Sequence, residues 1–551
     1  MIATAPAQGR ASQAKRKTAA RAAGCQLFGL LALVASGASA QMFEDAAAYR
    51  DPGAAAGPQG GGGSSSGGRG LYLTPTLSSS LTATNNVNLS ATNRQSALIL
   101  GITPGVTLGW QLGRNQGFLN YGLTCSFYTA GGDSGCNFQN TLAANANVEV
   151  IDNWLFVDAS ATISQQYISP FGAQSSAPTL NNANRTEVRT FSVAPYVRGR
   201  IAGEVDYTGR AFYSTTDSGS SSAADSSVFG GLLSFSSNTR WSKLSWGLDL
   251  SYREVKFSDA RNEFDQLNIL SLTYAVTPEL RVSLRGNVET SNLVSFDSET
   301  HTGYGGGLRW NPSPRTNLFL EYDTRIFGSS HLYGFEYRTP RTVWSISSFQ
   351  GLSTGQVSDG RFGGRQSNQG SIFDLLFAQF AAIEPDPVRR TQLVNNFMRA
   401  NGIAPNAGQT PGYLPSQVTE ELRQQASVAW LGQRNTVVFN VFQTQAKSLQ
   451  PLLLNAGDNF ADGNVVRWRG FGITGSHQLT PTSSLSLTLN QSNTGESQGT
   501  QATTLRSVYA FWNAQLGRRL AGSVGARYQN FSSSASPYTE AALLANLSMS
   551  F

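Results

Sequence analysis

The end of the chain alternates between apolar and polar residues with a period of two. From residue 543 to residue 551 every odd-numbered position is apolar, whereas positions 546, 548 and 550 are polar. An extended strand places successive side chains on opposite faces, so this pattern gives one apolar and one polar face. The same alternation recurs along most of the chain. Its clearest apolar sets are Leu244, Trp246, Leu248, Leu250 and Tyr252; Leu280, Val282, Leu284 and Val288; Leu318, Leu320 and Tyr322; and Leu485, Leu487 and Leu489.

A soluble β-sandwich would give the same alternation, but two features favour a barrel that spans a membrane. The alternation continues for about 480 residues without a second type of domain, and the connections alternate between short and long, as in transmembrane barrels. The sequence predicts an all-β fold: a transmembrane antiparallel β-barrel of about 22 strands (±2) over residues 70–551. Longer connections are predicted near 84–94, 130–136, 169–185, 217–224, 257–263, 291–299, 357–416, 449–463, 495–501 and 533–537, with a tight one near 328–330.

The last strand closes such a barrel against the first, because lipid cannot form hydrogen bonds with an open sheet edge. Its alternation and terminal aromatic residue resemble the C-terminal signal of bacterial outer-membrane barrels. The resemblance implies that the barrel-assembly machinery is a partner, alongside outer-membrane lipid. The residues assigned to this signal are Tyr538, Leu543, Leu547, Met549 and Phe551.

The N-terminus has the features of a cleaved signal peptide over residues 1–40. Five basic residues precede a short apolar run, and Ala38-Ser39-Ala40 resembles a cleavage site, so the mature chain is expected to begin at Gln41. Residues 41–69 form a flexible Gly/Ser-rich periplasmic linker. This organisation predicts export to the outer membrane of a Gram-negative type of cell.

The charge of the chain indicates no nucleic-acid partner. The formal charge is +6, but five of these charges lie in the first 40 residues. Charged residues make up only 13% of the chain, and 57 glycines accompany many Ser, Thr and Asn residues. Low charge with mild polarity fits a barrel that has lipid outside and water inside.

Two cysteines, Cys125 and Cys136, flank a predicted hairpin loop. Their midpoint falls at residues 130–131, so they are expected to face each other across two strands. An exported protein permits a disulfide at this place, and we predict one. The alternative is two free, partly buried thiols.

One segment, residues 357–416, departs from the alternation and predicts a helical insertion in the barrel. Ser371 and Asp374 suggest a capping box, and Asp386-Pro387 suggests the start of a second helix. The apolar side chains of this insertion must be buried against something. It is expected to form an extracellular lid, a lumen plug or a partner surface, with Phe377, Phe380, Leu393 and Phe397 as its apolar residues.

Charged residues of both signs alternate with the apolar sets on neighbouring predicted strands and should face the lumen. They are Asp249, Arg253, Arg281, Arg285, Glu289, Glu321, Asp323 and Arg325. One interpretation is that they pair with one another and hydrate the wall. The other is a mixed-charge surface that contacts a sugar chain. Neither sign dominates, so no strong ion selectivity is predicted.

Most tryptophans lie near predicted strand ends, which favours an aromatic girdle at the membrane interfaces over stacking platforms for sugars. They are Trp154, Trp241, Trp246, Trp310, Trp344, Trp430, Trp468 and Trp512.

The sequence contains no recognisable catalytic, metal-binding or cofactor-binding motif. Its three histidines, His301, His331 and His477, lie in separate segments, and no nucleophile motif or phosphate-binding glycine loop accompanies them. We therefore expect a protein that is not an enzyme and that requires no cofactor.

Several segments resemble the outer-membrane proteins associated with the PEP-CTERM system. The likeness lies in three parts of the chain: the first hairpin (71–77 with 84–89), residues 152–160 with 163–166 and 168–173, and residues 325–330 with 337–345. Residues 385–387 and 433–436 also fit it. The resemblance covers nearly the whole mature chain. It implies an outer-membrane barrel linked to exopolysaccharide and exosortase loci.

The leading functional expectation is a channel or conduit component for export of exopolysaccharide or surface material, with polysaccharide and periplasmic export proteins as candidate partners. The alternatives are a structural or interaction barrel for envelope or biofilm assembly, and a general diffusion porin. A TonB-dependent receptor would also have about 22 strands, but it needs a sizeable N-terminal plug domain. Only about 30 residues separate Gln41 from the first strand, so this class is not expected.

Overall fold

A computed structural model of the 551-residue chain describes most of residues 70–551. The described residues are 70–131, 135–220, 224–238, 243–258, 260–354, 376, 380, 390, 394, 414, 416–449, 465–496 and 502–551. The signal peptide, the linker and Trp241 therefore lie outside the described residues, as do Phe377, Leu393 and Phe397 of the predicted insertion.

The described residues form 22 strands, as predicted. The first eleven are β1 Gly70–Thr84, β2 Ala97–Leu112, β3 Asn115–Tyr128, β4 Asn137–Ile151, β5 Leu155–Tyr167, β6 Arg185–Ile201, β7 Val205–Ser218, β8 Ser226–Asn238, β9 Leu244–Phe257, β10 Glu263–Ala275 and β11 Leu280–Ser291. The others are β12 Glu299–Ser313, β13 Thr316–Arg325, β14 Gly328–Arg338, β15 Thr342–Ser353, β16 Thr419–Leu431, β17 Asn435–Ser448, β18 Val465–Thr480, β19 Ser483–Glu496, β20 Ala502–Gln515, β21 Leu520–Ser533 and β22 Tyr538–Ser550.

Each strand pairs antiparallel with its neighbours in sequence, and β22 pairs with β1 to close the barrel. The closing register runs from Thr76 opposite Ser550 to Thr84 opposite Ala542. The amide of Phe551 also donates to the carbonyl of Pro75, at 3.0 Å. Because the sheet closes on itself, it leaves no edge strand unpaired. The predicted transmembrane β-barrel is confirmed.

The connections alternate in length as the sequence predicts. Short turns, such as 113–114 and 202–204, lie at the end that holds Gly70 and Phe551, which we call the short-turn end. Gly113 and Gly203 adopt positive φ angles of 60° and 75° there, a conformation that glycine adopts without strain. The longer connections and the tight 326–327 turn lie at the opposite, long-loop end.

The outward face of the barrel is apolar. On β11 the outward residues Val282, Leu284 and Val288 are 38–70% exposed, whereas Arg285, Asn287 and Glu289, which alternate with them, face inward and are buried. On β22 the outward residues Leu543, Leu547 and Met549 are exposed. A continuous exposed apolar wall is the surface of a protein immersed in lipid. Tyr538 differs from the other residues assigned to the C-terminal signal, because it lies on the inward face and is buried.

Outward tryptophans mark the short-turn end, as a membrane girdle would. Those on β12, β15, β16 and β20 are 40–44% exposed: Trp310, Trp344, Trp430 and Trp512. The girdle interpretation is wrong for Trp468, which faces inward near the long-loop end of β18 and is only 3% exposed. It packs there with Tyr167 and Phe442.

The inward face contains both buried and exposed residues. Near the long-loop end the inward residues Ser126, Glu289, Gln529 and Glu540 are completely buried. Beside the short turns the inward residues Val343 and Ser484 are also completely buried. Inward residues such as Asn120, Arg281, Asn490 and Ser548 are exposed.

Six residues of the predicted insertion are described. Four of them, Leu376, Phe380, Arg390 and Val394, are helical, and the three apolar ones among these are buried. No helix among the described residues is long and apolar enough to cross a membrane.

Candidate functional site in the barrel lumen

The lumen wall formed by β9 to β13 carries two neighbouring sets of ion pairs, which together we call the ion-pair network. It contains Arg253, Asp265, Arg285, Glu289, Arg309, Glu321, Asp323 and Arg325. Alternation places these side chains on the inward face of five neighbouring strands, where hydrogen bonding between strands fixes their spacing.

Arg325 is the centre of the set of ion pairs nearer the long-loop end. Its Nε lies 2.7 Å from Oε2 of Glu289, and its Nη2 lies 3.0 Å from Oε1 of the same carboxylate. Nη2 also lies 3.3 Å from Oδ2 of Asp265, which in turn pairs with Arg253 at 3.7 Å. Glu289 has no exposed side-chain surface and also accepts the amide hydrogen of Ile326, at 2.9 Å. This bidentate geometry satisfies a carboxylate that would otherwise be costly to bury.

Arg285 is the centre of the other set of ion pairs, which lies further from the long-loop end. Its Nη1 lies 3.0 Å from Glu321, and its Nη2 lies 3.1 Å from Asp323. Glu321 is also 3.4 Å from Arg309. The two carboxylates lie on β13, two strands away from Arg285 on β11.

Glycines on the intervening strand allow these contacts to cross it. Gly305 pairs with both Arg285 and Asp323 in the register of β12. A Cβ at Gly305 would collide with Asp323 and with the carbonyl oxygen of Tyr322, and one at Gly303 would collide with the carbonyl oxygen of Thr324. Because these inward positions of β12 have no side chain, the charged side chains of β11 and β13 can contact each other across it.

The structure brings six of the eight predicted lumen charges into this network and leaves two outside it. Asp249 accepts a hydrogen bond from Ser234 at 2.7 Å, and Arg281 is exposed, with no ion pair among the described residues. Asp265 and Arg309 were missed. On β10 the inward face includes Leu267 and Ile269 while Gln266 and Asn268 face outward, so alternation alone does not identify its polar face.

A second buried charged group lies at the seam where the barrel closes. Arg527 lies 2.7 Å from Glu540, and Glu540 also accepts hydrogen bonds from Thr84 at 2.7 Å and from Gln529 at 3.0 Å. Glu540 and Gln529 are completely buried. These contacts join β1, β21 and β22 through their inward faces.

The seam also holds the connection between β5 and β6, residues 168–184, which we call the inward loop. Gln529 accepts a hydrogen bond from Ser176 at 2.9 Å, and Tyr538 donates to the carbonyl of Gln174. Gln174 also reaches Thr494 on β19, at 3.4 Å. The loop residue Leu180 packs in a buried cluster with Val87, Leu89, Ala97, Ile99, Ala177, Phe531 and Tyr538.

The inward loop lies across the lumen instead of over the rim. Tyr167, the last residue of β5, packs against Phe442 on β17, which lies ten strands away around the 22-stranded barrel. Phe171 packs against Ala446 and Val466 on the same distant wall. A loop that joins nearly opposite walls of a barrel narrows its passage. The sequence predicted a long loop here but not its direction.

A cluster of aromatic and charged side chains lines another part of the wall, on β5 to β7. The ring of Phe156 stacks on Tyr196 at 5.0 Å, and the guanidinium of Arg198 lies 4.6 Å from the Phe156 ring centroid. Arg210 lies over Tyr196 and pairs with Asp158 at 2.7 Å. Aromatic faces beside paired charges are suited to hydrated, polar molecules.

The histidines form no catalytic arrangement with one another. His331 lies 2.8 Å from Ser348 and stacks on Tyr333, on the outward face, and His477 lies 2.7 Å from Asn435. The described residues contain no group of three or more His, Cys, Asp or Glu side chains that would hold a metal ion.

Cys125 and Cys136 form a disulfide at a Cα–Cα distance of 5.4 Å. It joins the end of β3 to the residue that precedes β4, and so constrains the loop between them.

No protein-family model and no curated protein matches the sequence. Solved barrels with a similar fold include the apoprotein of the FrpB iron transporter from Neisseria meningitidis, at 10% identity and a TM-score of 0.46 over 87% of this chain and 81% of that one. The siderophore receptor PirA from Acinetobacter baumannii matches at 9% identity and a TM-score of 0.45, over 87% of this chain and 80% of that one. A mutant of the ferric enterobactin receptor PfeA from Pseudomonas aeruginosa matches at 10% identity and a TM-score of 0.44, with the same coverage. At identities this low, neither the ligands nor the partners of these proteins can be assigned to this chain.

Proposed function

We propose that the chain is an outer-membrane conduit with a narrowed outer mouth, which exports a hydrated polymer such as an exopolysaccharide. The observation that supports this most is a closed 22-stranded barrel whose outward wall is apolar and whose inward wall carries paired charges. A lumen lined in this way is compatible with water and polar cargo, whereas the outward wall requires lipid.

The alternation of loop lengths gives the orientation. In transmembrane barrels of bacteria the short turns lie on the periplasmic side, and the longer loops lie outside. The inward loop then narrows the outer mouth. Cargo would enter from the periplasm and would have to displace the inward loop to leave.

The resemblance to PEP-CTERM system-associated proteins supports exopolysaccharide as the cargo class. Paired charges of both signs, stacked aromatics and many hydroxyl groups offer hydrogen bonds and stacking faces without a strong preference for one ion. This chemistry suits a sugar chain better than a small ion. The proposal includes no catalytic step.

A structural or interaction barrel is the second candidate, and the packing of the long-loop end favours it. The complete burial of Ser126, Glu289, Gln529 and Glu540 there fits a permanently closed mouth.

Deletion of the gene in the native host separates the candidates. Export predicts loss of secreted polymer with the polymer retained in the periplasm. Unchanged polymer secretion together with a weakened envelope or biofilm would refute export and favour the structural barrel. Slower uptake of small solutes with normal polymer secretion would favour a general porin.

A further inference from the structure

The outward face of β17 to β20 carries an excess of positive charge at its long-loop end. Arg467 and Arg469 on β18 and Arg506 on β20 are exposed, while the residues beside them that face the lumen, Trp468 and Ser507, are buried. We call the three arginines the cationic patch. Lys447 on β17 is exposed beside it, 3.4 Å from Glu420.

The arginines lie close together on the barrel surface. Arg467 and Arg469 are two residues apart on one strand, about 7 Å, and β20 lies two strands away, about 10 Å. Amide side chains lie opposite them in the register: Arg467 faces Gln445, and Arg469 faces Gln443 and Asn493. The patch therefore combines guanidinium groups with amides.

Within the part of the chain that the structure describes, the three arginines of this patch lack the acidic partners that outward charges have elsewhere at the same end. On β6 Arg189 pairs with Glu187 at 2.8 Å, and on β9 Lys256 pairs with Glu254 at 3.1 Å. Arg506 contacts only a neutral acceptor, Gln491 at 3.1 Å, among the described residues. Neither Arg467 nor Arg469 has an ion pair within the described residues. In that part of the chain the patch therefore presents three guanidinium groups with no carboxylate partner.

The height of the patch places an anion bound to it at a membrane surface. On β18 Arg467 and Arg469 lie beyond Phe471, the last outward aromatic residue of that strand. Arg506 is in register with Phe471 across β19, and on its own strand it lies two residues beyond Val508, the partner of Tyr528. Outward arginine is costly at the middle of a bilayer but nearly neutral at its interface. The apolar residues just below, Phe471, Val441 and Val508, are about 40% exposed and face the acyl chains.

We propose that the cationic patch binds the phosphate groups of a phosphorylated glycolipid in the outer leaflet, with its sugars on the amides and its acyl chains on the wall below. Guanidinium groups bind phosphate through two parallel hydrogen bonds. Clustered basic residues at a membrane surface recognise anionic head groups. This inference rests on the proposed placement in the outer membrane with the long-loop end outside, but not on transport.

The test measures binding of bisphosphorylated lipopolysaccharide to the purified barrel in detergent, by native mass spectrometry. Replacing both β18 arginines (R467Q/R469Q) should weaken binding about thirty-fold, since each basic residue near a charged surface contributes about 1 kcal/mol. R518Q/R519Q removes the same charge from a turn at the short-turn end and should leave binding unchanged. Dephosphorylated glycolipid should bind the native chain as weakly as intact lipid binds R467Q/R469Q.

Equal binding of intact glycolipid by the native chain and by R467Q/R469Q would overturn the proposal, as would equal binding of dephosphorylated glycolipid or of phosphatidylglycerol by the native chain. Heat-modifiable mobility on gels verifies that each variant is folded. A barrel that fails to transport polymer but retains the phosphate-dependent binding would refute the proposed function and leave this inference standing.

Discussion

Replacing Arg325 with methionine removes the guanidinium that holds Glu289 and Asp265 while keeping an unbranched apolar stem. The change leaves Glu289, which is completely buried, without its bidentate partner, and removes the 3.3 Å contact of the guanidinium with Asp265. Removing one partner of a buried pair typically costs about 3–5 kcal/mol, because the remaining charge is buried without compensation. We expect the free energy of unfolding to fall by that amount.

The assay is reversible unfolding in urea from lipid vesicles, followed by the fluorescence of the nine tryptophans. The matched control is Arg189→Met, which removes an outward arginine paired with Glu187. That side chain is 59% exposed, so its loss should cost only about 0–1 kcal/mol. The double variant Arg325→Met with Glu289→Met should recover at least about 2 kcal/mol relative to the sum of the single changes.

A loss for Arg325→Met no greater than that for the control would refute the view that the lumen charges compensate one another. Additive effects in the double variant would refute it in the same way.

Three further predictions concern separate parts of the barrel. Gly305→Ala places a Cβ against Asp323 and the carbonyl oxygen of Tyr322, so the unfolding free energy should fall by about 1–3 kcal/mol. The control is Gly286→Ala, where a Cβ meets nothing within 4 Å, and it should be close to neutral in the same urea titration. Gln529→Leu removes the acceptor that holds the inward loop, so single-channel conductance should rise; an unchanged conductance would show that Gln529 does not hold the mouth closed. Replacing Cys125 and Cys136 by serine should lower the unfolding free energy by about 3 kcal/mol, because the disulfide closes a short loop in the unfolded chain, and equal stability with and without reductant would contradict this.

The fold could be predicted from the sequence because a membrane barrel repeats one simple constraint along the chain. Every strand needs an apolar outward face, so alternation sets both the strand positions and the inward charges, as on β11 and β13. Alternation does not identify the inward face of a strand where the inward residues are themselves apolar. Inward Leu267 and Ile269 obscure the parity of β10, and the packed outer mouth buries Trp468, which the sequence suggested would face the interface.

The position of the inward loop depends on contacts with strands distant in sequence, and the crossing of β12 depends on contacts between strands that are not direct neighbours in the sheet. A loop rich in Ser, Ala and Asn can lie over the rim or enter the lumen, and the choice rests on Gln529, Glu540 and Tyr538 on the other side of the seam. Glycines at 303, 305 and 307 were a usable signal, because three glycines with a period of two mark one bare face of a strand.

The central claim is that the lumen is a conduit narrowed by the inward loop. Planar-bilayer conductance of the purified native barrel, compared with a variant in which residues 170–183 are replaced by a short Gly/Ser turn, tests it most directly. We predict a small conductance for the native barrel and a severalfold larger one for the variant. Absence of conductance in both proteins would contradict the conduit, and a large, equal conductance in both would contradict the narrowing by the inward loop.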